Sequence, residues 1–124
     1  GAQVKASFVN GFSAVCNSTI NTGRFPQVSG LVVTYHCSGT TAVVDGVWKA
    51  PNGPSGTKTL LADGDTLRFV TNDFMLTGGD GYTLFIQGSN VKFTGDLMLD
   101  VVTAYITAHP NIDPLVEGRI TVTP

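Results

Sequence analysis

The sequence predicts an α+β (mixed α/β) domain, in which helices flank a mostly antiparallel sheet. Its 124 residues are enough for one domain with a core of its own. Apolar residues recur at helical spacing near both ends of the chain. Between the ends lie short segments rich in β-branched and aromatic residues, separated by Gly and Pro. Helices at both ends with strands between them favour this class.

Charge and composition exclude several classes of protein. Only 13% of the residues are charged and the net charge is −2, so bulk charge cannot drive binding to a nucleic acid polymer. No apolar run is long enough for a transmembrane helix, and no signal-peptide pattern opens the sequence. The apolar content of 42% excludes a disordered chain. What remains is a globular domain with a polar but weakly charged surface.

The first half of the chain is predicted to contain one helix and two strands. Val4, Phe8 and Phe12 recur four residues apart, which predicts a helix over residues 2–11 that stops near Gly11. A polar loop over residues 16–24 follows. The predicted strands are residues 27–36 and Thr41–Lys49, the second with a turn at Asp45-Gly46, and a Pro/Gly loop covers residues 50–57.

The second half is predicted to contain two strands and a helix. Residues 66–71 alternate in polarity and predict a strand, residues 72–82 a loop, and residues 82–86 a short strand or helical turn. Residues 96–108 predict a helix with Asp96 as N-cap and a stop at Pro110. Its apolar stripe is formed by Leu97, Val101, Tyr105 and Ala108. A last strand is predicted over residues 118–123.

The two cysteines, Cys16 and Cys37, are either free buried thiols or one disulfide. The low charge, the many Ser, Thr and Gly residues and the Asn-Ser-Thr triplet at Asn17 are typical of an exported protein, which favours the disulfide. A zinc site from these cysteines with His36 and His109 is disfavoured, because neither cysteine has a nearby second ligand at the usual spacing.

A glycine-rich segment within residues 72–82 has the composition of a ligand-binding loop. Asp80 lies between glycines, which allow a tight turn and a close approach to a ligand, and Phe74 and Tyr82 flank it. An aromatic ring can stack on a base while a carboxylate accepts hydrogen bonds from ribose hydroxyls. Composition alone favours the simpler interpretation, a turn that only reverses the chain. The segment lacks the lysine of a phosphate-binding P-loop.

Four segments in order resemble the C-terminal, substrate-binding domain of the 5'-nucleotidase and UDP-sugar hydrolase family. Residues 72–85 resemble its NDF-x-x-x-GGDG-aromatic motif, and residues 23–30, GRFPQVSG, resemble its G-x-F-x-Q-V-S/G-G stretch. Residues 115–120, LVEGRI, and the opening residues 1–5, GAQVK, are similar to two further family segments. Together the four segments cover most of the chain.

The resemblance implies a nucleoside site. Phe25 and Phe74 match the two aromatic positions that sandwich the base in the family, and Asp80 matches the carboxylate that binds the ribose hydroxyls. Gly78, Gly79 and Gly81 match the glycines of the same loop. The resemblance therefore implies that the chain binds a nucleotide or nucleoside and determines substrate specificity.

The same resemblance implies that the hydrolytic chemistry lies elsewhere. In the family, two divalent metal ions such as Zn or Mn activate water in an N-terminal metallophosphoesterase domain that these residues do not include. We therefore expect no catalytic residue, no metal site and no cofactor in residues 1–124. We expect the missing catalytic domain as a partner, and an extracellular or periplasmic location.

The resemblance also implies that the first strand or strands of the domain precede residue 1. A sheet that lacks a strand has an unpaired edge, so we expect dimerisation, strand exchange or marginal stability of this chain alone. Two other functions are considered. A non-catalytic extracellular interaction module with the same fold has no need of both aromatics and the carboxylate, and a β-rich adhesion domain does not explain the four segments.

Overall fold

The sheet has four strands in the order β3-β2-β1-β4, formed by β1 (Leu31–Ser38), β2 (Thr41–Lys49), β3 (Thr59–Leu60) and β4 (Ile120–Val122). The computed structural model describes residues 1–19 and 22–124. Strand β2 is antiparallel to both β1 and β3, whereas β4 runs parallel to β1. The sheet is therefore mixed, and together with the helices it confirms the predicted α+β class.

Helix α1 (Ala2–Cys16) supplies one side of the core. Phe12 is fully buried, and its ring stacks on that of Tyr35 in β1 with centroids 4.4 Å apart. Burying an aromatic side chain of this size stabilises the fold by about 1.5–3 kcal/mol. Phe12 and Tyr35 belong to the hydrophobic core cluster. The other buried members of this cluster are Phe8, Val33, Ala42, Val47 and Leu61.

The prediction that α1 stops near Gly11 is wrong, because the helix continues to Cys16. Gly11 is buried inside the helix, where a Cβ atom would overlap the Tyr82 hydroxyl and lie 2.6 Å from Pro26 Cδ. Glycine is therefore required here by close packing and not by a change of backbone direction. The predicted loop that follows includes a 3₁₀ turn at Thr22–Arg24, and its residues 20 and 21 lie outside the described residues.

Strand β2 has the predicted bounds, but the turn expected at Asp45-Gly46 does not form. Thr34 pairs with Gly46 and Tyr35 with Val44, so Asp45 is an extra residue in a β-bulge. The hairpin turns instead at residues 39–40. Gly46 lies within β2, and a Cβ atom there would overlap the Trp48 ring. Close packing by this ring therefore favours glycine at this position.

Three further predicted strands differ from the structure. Strand β1 starts at Leu31 and not at residue 27, and β4 is shorter than predicted. The predicted strand over residues 66–71 does not form. Val70 in this segment is almost fully exposed. An alternating pattern forms a strand only where a neighbouring strand supplies hydrogen-bond partners for its backbone, and this segment pairs with no strand in the described structure.

The segment after β3 contains short helices. Helix α2 (Asp73–Leu76) and a 3₁₀ turn at Gly79–Gly81 lie within the predicted loop, and a 3₁₀ helix at Thr83–Gln87 confirms the predicted helical turn. Helix α3 (Met98–Ala108) ends before Pro110 as predicted.

The predicted N-cap and packing stripe of α3 are wrong. Its N-cap is Leu97 and not Asp96, and no side chain caps it. The stripe of Leu97, Val101 and Tyr105 is exposed, because no residue of α3 is buried against the sheet. None of the helices in the described part of the chain is long and apolar enough to cross a membrane.

Candidate functional site

Phe74 projects from helix α2 with 55% of its surface exposed. Asn72 starts this helix, since its Oδ1 atom accepts a hydrogen bond from the Met75 N–H at 2.8 Å. Gly79 lies directly under the ring, and a Cβ atom there would be 2.6 Å from three ring carbons. The motif glycine thus lets an exposed aromatic ring lie flat against the backbone of the following turn.

Asp80 lies in the turn after α2 in a left-handed backbone conformation, with φ 54° and ψ 23°. Gly78 before it and Gly81 after it also have positive φ, of 94° and 81°. Glycine adopts this region freely, whereas an aspartate does so at a cost. The Asp80 side chain is exposed, and among residues 1–19 and 22–124 its carboxylate has no hydrogen-bond or ion-pair partner.

Asn10 of helix α1 anchors this turn. Its Nδ2 atom donates a hydrogen bond to the Asp80 carbonyl oxygen at 2.9 Å. Gly81 fits closely against the same side chain, because a Cβ there would be 2.7 Å from Asn10 Oδ1. The conformation that directs the Asp80 carboxylate outward is therefore held by a side chain 70 residues earlier.

Tyr82 connects the glycine turn to the segment that carries Phe25. Its side chain is only 2% exposed, and its hydroxyl donates a hydrogen bond to the Arg24 carbonyl at 2.7 Å. Burial, with a smaller contribution from the Asp80 charge, raises the pKa of Tyr82 to about 12. The hydroxyl therefore remains a donor throughout the physiological range.

Phe25 is half-buried at the edge of the core. Its ring lies 5.2 Å from that of Phe12, at an angle of 43°. Next to it, the Nε atom of Arg24 is buried with no hydrogen-bond partner in the described part of the chain. Phe25 therefore has one side on the core and another open to solvent.

The structure brings Phe74, Gly78, Gly79, Asp80 and Gly81 together in one turn. Phe25 is linked to this turn only through its neighbour Arg24, whose carbonyl accepts the hydrogen bond from the Tyr82 hydroxyl. The rings of Phe25 and Phe74 make no ring contact with each other in the described structure.

The site residues predicted from the sequence include neither Asn10 nor Tyr82, although both support the turn. Asn10 lies beside Gly11 on α1, but the sequence of this helix does not show which segment packs against it. The partner of that packing, 70 residues later, has no local signal.

Elsewhere, charged side chains form ion pairs that hold segments to the sheet. Lys49 of β2 lies 2.8 Å from Asp65, and this hydrogen bond is the main reason that the Asp65 pKa is lowered. His36 Nδ1 and Thr123 Oγ1 lie 2.7 and 2.6 Å from the two carboxylate oxygens of Asp45. Arg119 pairs with Glu117, in agreement with a structural role.

No other region of the described structure has the features of a metal or enclosed ligand site. No three His, Cys, Asp or Glu side chains within residues 1–19 and 22–124 lie close enough together to hold a metal ion. Two shallow depressions lie away from Phe74 and Asp80, one at the start of α3 and one beside Gln27 and residues 115–120. Cys16 and Cys37 form a disulfide with their Cα atoms 5.5 Å apart.

The chain matches the family model described as 5'-nucleotidase, C-terminal domain, over residues 1–87. It is 33% identical over 123 residues to trifunctional nucleotide phosphoesterase protein YfkN of Bacillus subtilis (strain 168), covering 97% of this chain and 8% of that protein. A 5'-nucleotidase of Diplobatis ommata is 35% identical over 104 residues, or 81% of this chain and 18% of the relative. Snake venom 5'-nucleotidase of Macrovipera lebetinus is 34% identical over 107 residues, which cover 81% of this chain and 25% of that protein. The chain thus spans a quarter or less of these three relatives.

Proposed function

This chain belongs to the 5'-nucleotidase C-terminal domain family, and on that premise we propose that it binds the nucleoside part of a phosphate-ester substrate. The observation that carries the proposal is the turn at Phe74 and Asp80. An exposed aromatic ring and an exposed carboxylate share one turn, which is held by a hydrogen bond from Asn10 and fits closely at its glycines.

Each group has a distinct role in this proposal. Phe74 stacks on one face of the base and Phe25 on the other, and each stacking contact contributes about 1–3 kcal/mol with little preference between bases. Asp80 accepts hydrogen bonds from the two ribose hydroxyls, which are neighbouring donors that suit one carboxylate. Gly78, Gly79 and Gly81 allow the backbone to approach the sugar.

The proposed role in the full protein is substrate specificity. Hydrolysis of the phosphate ester requires a group that activates water, and a pair of metal ions in a metallophosphoesterase domain N-terminal to this one supplies it in our proposal. The chain alone is therefore expected to bind a nucleoside without releasing phosphate. Its Cys16–Cys37 disulfide supports an extracellular or periplasmic location.

The proposal is tested by NMR titration of this chain with adenosine, AMP and a uridine nucleotide. We expect saturable shifts centred on Phe25, Phe74 and Asp80. Phe74→Ala should weaken binding about 10- to 100-fold, as the loss of one stacking contact requires. Phe93→Ala removes another exposed ring, away from the turn, and should leave the affinity unchanged.

The role of Asp80 is tested with a second ligand. Asp80→Asn should weaken binding of adenosine but not of 2',3'-dideoxyadenosine, since only adenosine has the hydroxyls that the carboxylate accepts. Asp96→Asn is the matched control, because its carboxylate lies outside the turn. A folded chain that shows no shifts at millimolar ligand, also when extended at its N-terminus, would favour a non-catalytic interaction module.

A further inference from the structure

The triplet Asn17-Ser18-Thr19 is a feature that the proposed nucleoside site does not use. It is the only Asn-x-Ser/Thr triplet in the 124 residues, and its middle residue is not proline. Oligosaccharyl transfer requires this pattern, but the pattern also arises by chance. Whether Asn17 can accept a glycan therefore depends on the exposure and the hydrogen bonds of the triplet in the structure.

The triplet lies on an exposed turn just beyond α1. Asn17 caps the helix in an extended conformation, with φ −128° and ψ 104°, and its N–H donates to the Ser13 carbonyl at 3.1 Å. Asn17 is partly buried, and Ser18 and Thr19 are exposed. A bulky hydrophilic group on this turn therefore meets solvent and not the core.

The side chain of Asn17 is oriented by the hydroxyl residue of its own triplet. Its Oδ1 atom accepts hydrogen bonds from the Thr19 hydroxyl at 2.7 Å and from the Thr19 N–H at 3.1 Å. Both bonds are made to the oxygen. The Nδ2 atom, the acceptor atom in N-glycosylation, makes no hydrogen bond with any described residue, so a glycan there would replace no described hydrogen bond.

The neighbouring disulfide indicates the compartment. Cys16 directly precedes the triplet and is bonded to Cys37. Disulfides form and persist in the secretory pathway, which is also where oligosaccharyl transfer takes place in eukaryotic cells. Export through a eukaryotic secretory pathway would bring the triplet to an oligosaccharyl transferase.

From these observations, we propose that Asn17 is an N-glycosylation site. The donor is a lipid-linked oligosaccharide pyrophosphate. A bond forms between Asn17 Nδ2 and the anomeric carbon of the first sugar, while the bond from that carbon to the pyrophosphate oxygen breaks and the lipid pyrophosphate leaves with the electron pair. Nδ2 gives up one proton, and no oxidation or reduction occurs.

The test is secretion of the full chain from eukaryotic cells, followed by digestion with peptide N-glycosidase and mass spectrometry. We expect a heavier chain that the enzyme returns to its sequence mass with Asn17 converted to Asp. Asn17→Gln and Thr19→Ala should each abolish the modification, whereas Thr19→Ser should retain it. Since these changes lie outside the glycine turn, nucleoside binding should be unaffected, which separates this proposal from the proposed function.

A control variant shows that the transferase can reach this chain. Pro54→Thr in the Asn17→Gln background creates an Asn-Gly-Thr triplet at the exposed Asn52. If the secreted wild-type chain has an unmodified Asn17 in cells that glycosylate their own secreted proteins, the proposal is overturned. Modification at Asn52 in the variant would then show that the failure belongs to the Asn17 turn.

Discussion

At the scale of single residues, Asp80 combines a backbone cost with an exposed charge. Asp80 and Asn90, with φ 54° and 56°, are the non-glycine residues with positive φ in the described structure. An L-residue in the left-handed region loses roughly 1–2 kcal/mol, less for Asp and Asn, whose short side chains tolerate it. A glycine would relieve this strain, so the carboxylate is present at the expense of stability.

We therefore predict that Asp80→Gly stabilises the fold and weakens nucleoside binding. The gain is expected to be up to about 1 kcal/mol, because relief of strain exceeds the entropy that a glycine adds to the unfolded chain. Chemical denaturation and ligand titration measure the two effects. Asn90→Gly has the same backbone geometry outside the turn and should give the gain without the loss of affinity. A destabilised Asp80→Gly variant would contradict the argument.

At the scale of elements, the connection between the glycine turn and the Phe25 segment depends on one hydroxyl. Tyr82→Phe removes the hydrogen bond to the Arg24 carbonyl without creating a cavity. We predict a loss of about 1 kcal/mol of unfolding free energy, since the partly buried Arg24 carbonyl loses this partner, together with weaker nucleoside binding. Tyr105→Phe, on the exposed helix α3, should change neither.

The same tyrosine makes a prediction for alkaline pH. Because the folded-state pKa of about 12 lies above the ordinary 10.0, the stability that Tyr82 contributes is complete below pH 10.0 and is lost as pH rises toward 12. Thermal unfolding at increasing alkaline pH, together with tyrosinate absorbance, should show this decline. In Tyr82→Phe the corresponding late-titrating tyrosinate should be missing. An unchanged absorbance titration would contradict the assignment.

Local sequence patterns predicted the helices and strands better than they predicted the contacts between them. Strand β2 has the predicted bounds because β-branched residues need only a neighbouring strand, and the hairpin provides it. The pattern could not show that Gly11 is a packing position, because Tyr82 and Pro26 approach it from distant parts of the sequence. For the candidate site, the resemblance predicted Phe74 and Asp80, whereas the hydrogen bond from Asn10 to the Asp80 carbonyl depends on a contact that only the fold creates.

At the scale of the whole molecule, three carboxylates stabilise the fold near neutral pH and make its stability sensitive to acid. Hydrogen bonds to Thr123, Lys5 and Lys49 are the main reasons for the lowered pKa values of Asp45, Asp63 and Asp65, respectively. The unfolded chain therefore takes up protons at a higher pH than the folded chain does. The stability that these groups contribute is present above the ordinary pKa of 3.8 and is lost as pH falls below it.

We accordingly predict that the melting temperature falls as pH is lowered through about 4. Asp65→Asn should reduce the dependence on pH in this range, and Lys49→Met should reduce it similarly, because either change removes the same ion pair. The double variant should lose no more than the single variants together. Circular dichroism across an acid series provides the measurement, and a flat profile for the wild-type chain would contradict the prediction.

The accessible surface of the molecule is also larger than is usual for a folded monomer of its mass. Its accessible surface is 8554 Å², whereas a folded monomer of 13.0 kDa exposes about 6,300 Å². The excess of about 2,200 Å² is comparable to what one subunit contributes to a large obligate dimer interface. Helix α3 accounts for part of it, because its apolar side chains are uncovered: Met98, Leu99, Val101, Val102, Tyr105 and Ile106.

We therefore predict that this chain, on its own, self-associates through α3, since burying these side chains against a second copy removes apolar surface from water. Sedimentation should show a concentration-dependent dimer or larger species. Leu99→Lys with Ile106→Lys places two charges on the apolar face and should shift the chain toward monomer. Thr103→Lys with Thr107→Lys adds the same charge to the polar side of α3 and should leave association intact. A wild-type chain that remains monomeric and stable at the concentrations used for NMR would show instead that the chain covers this face by itself.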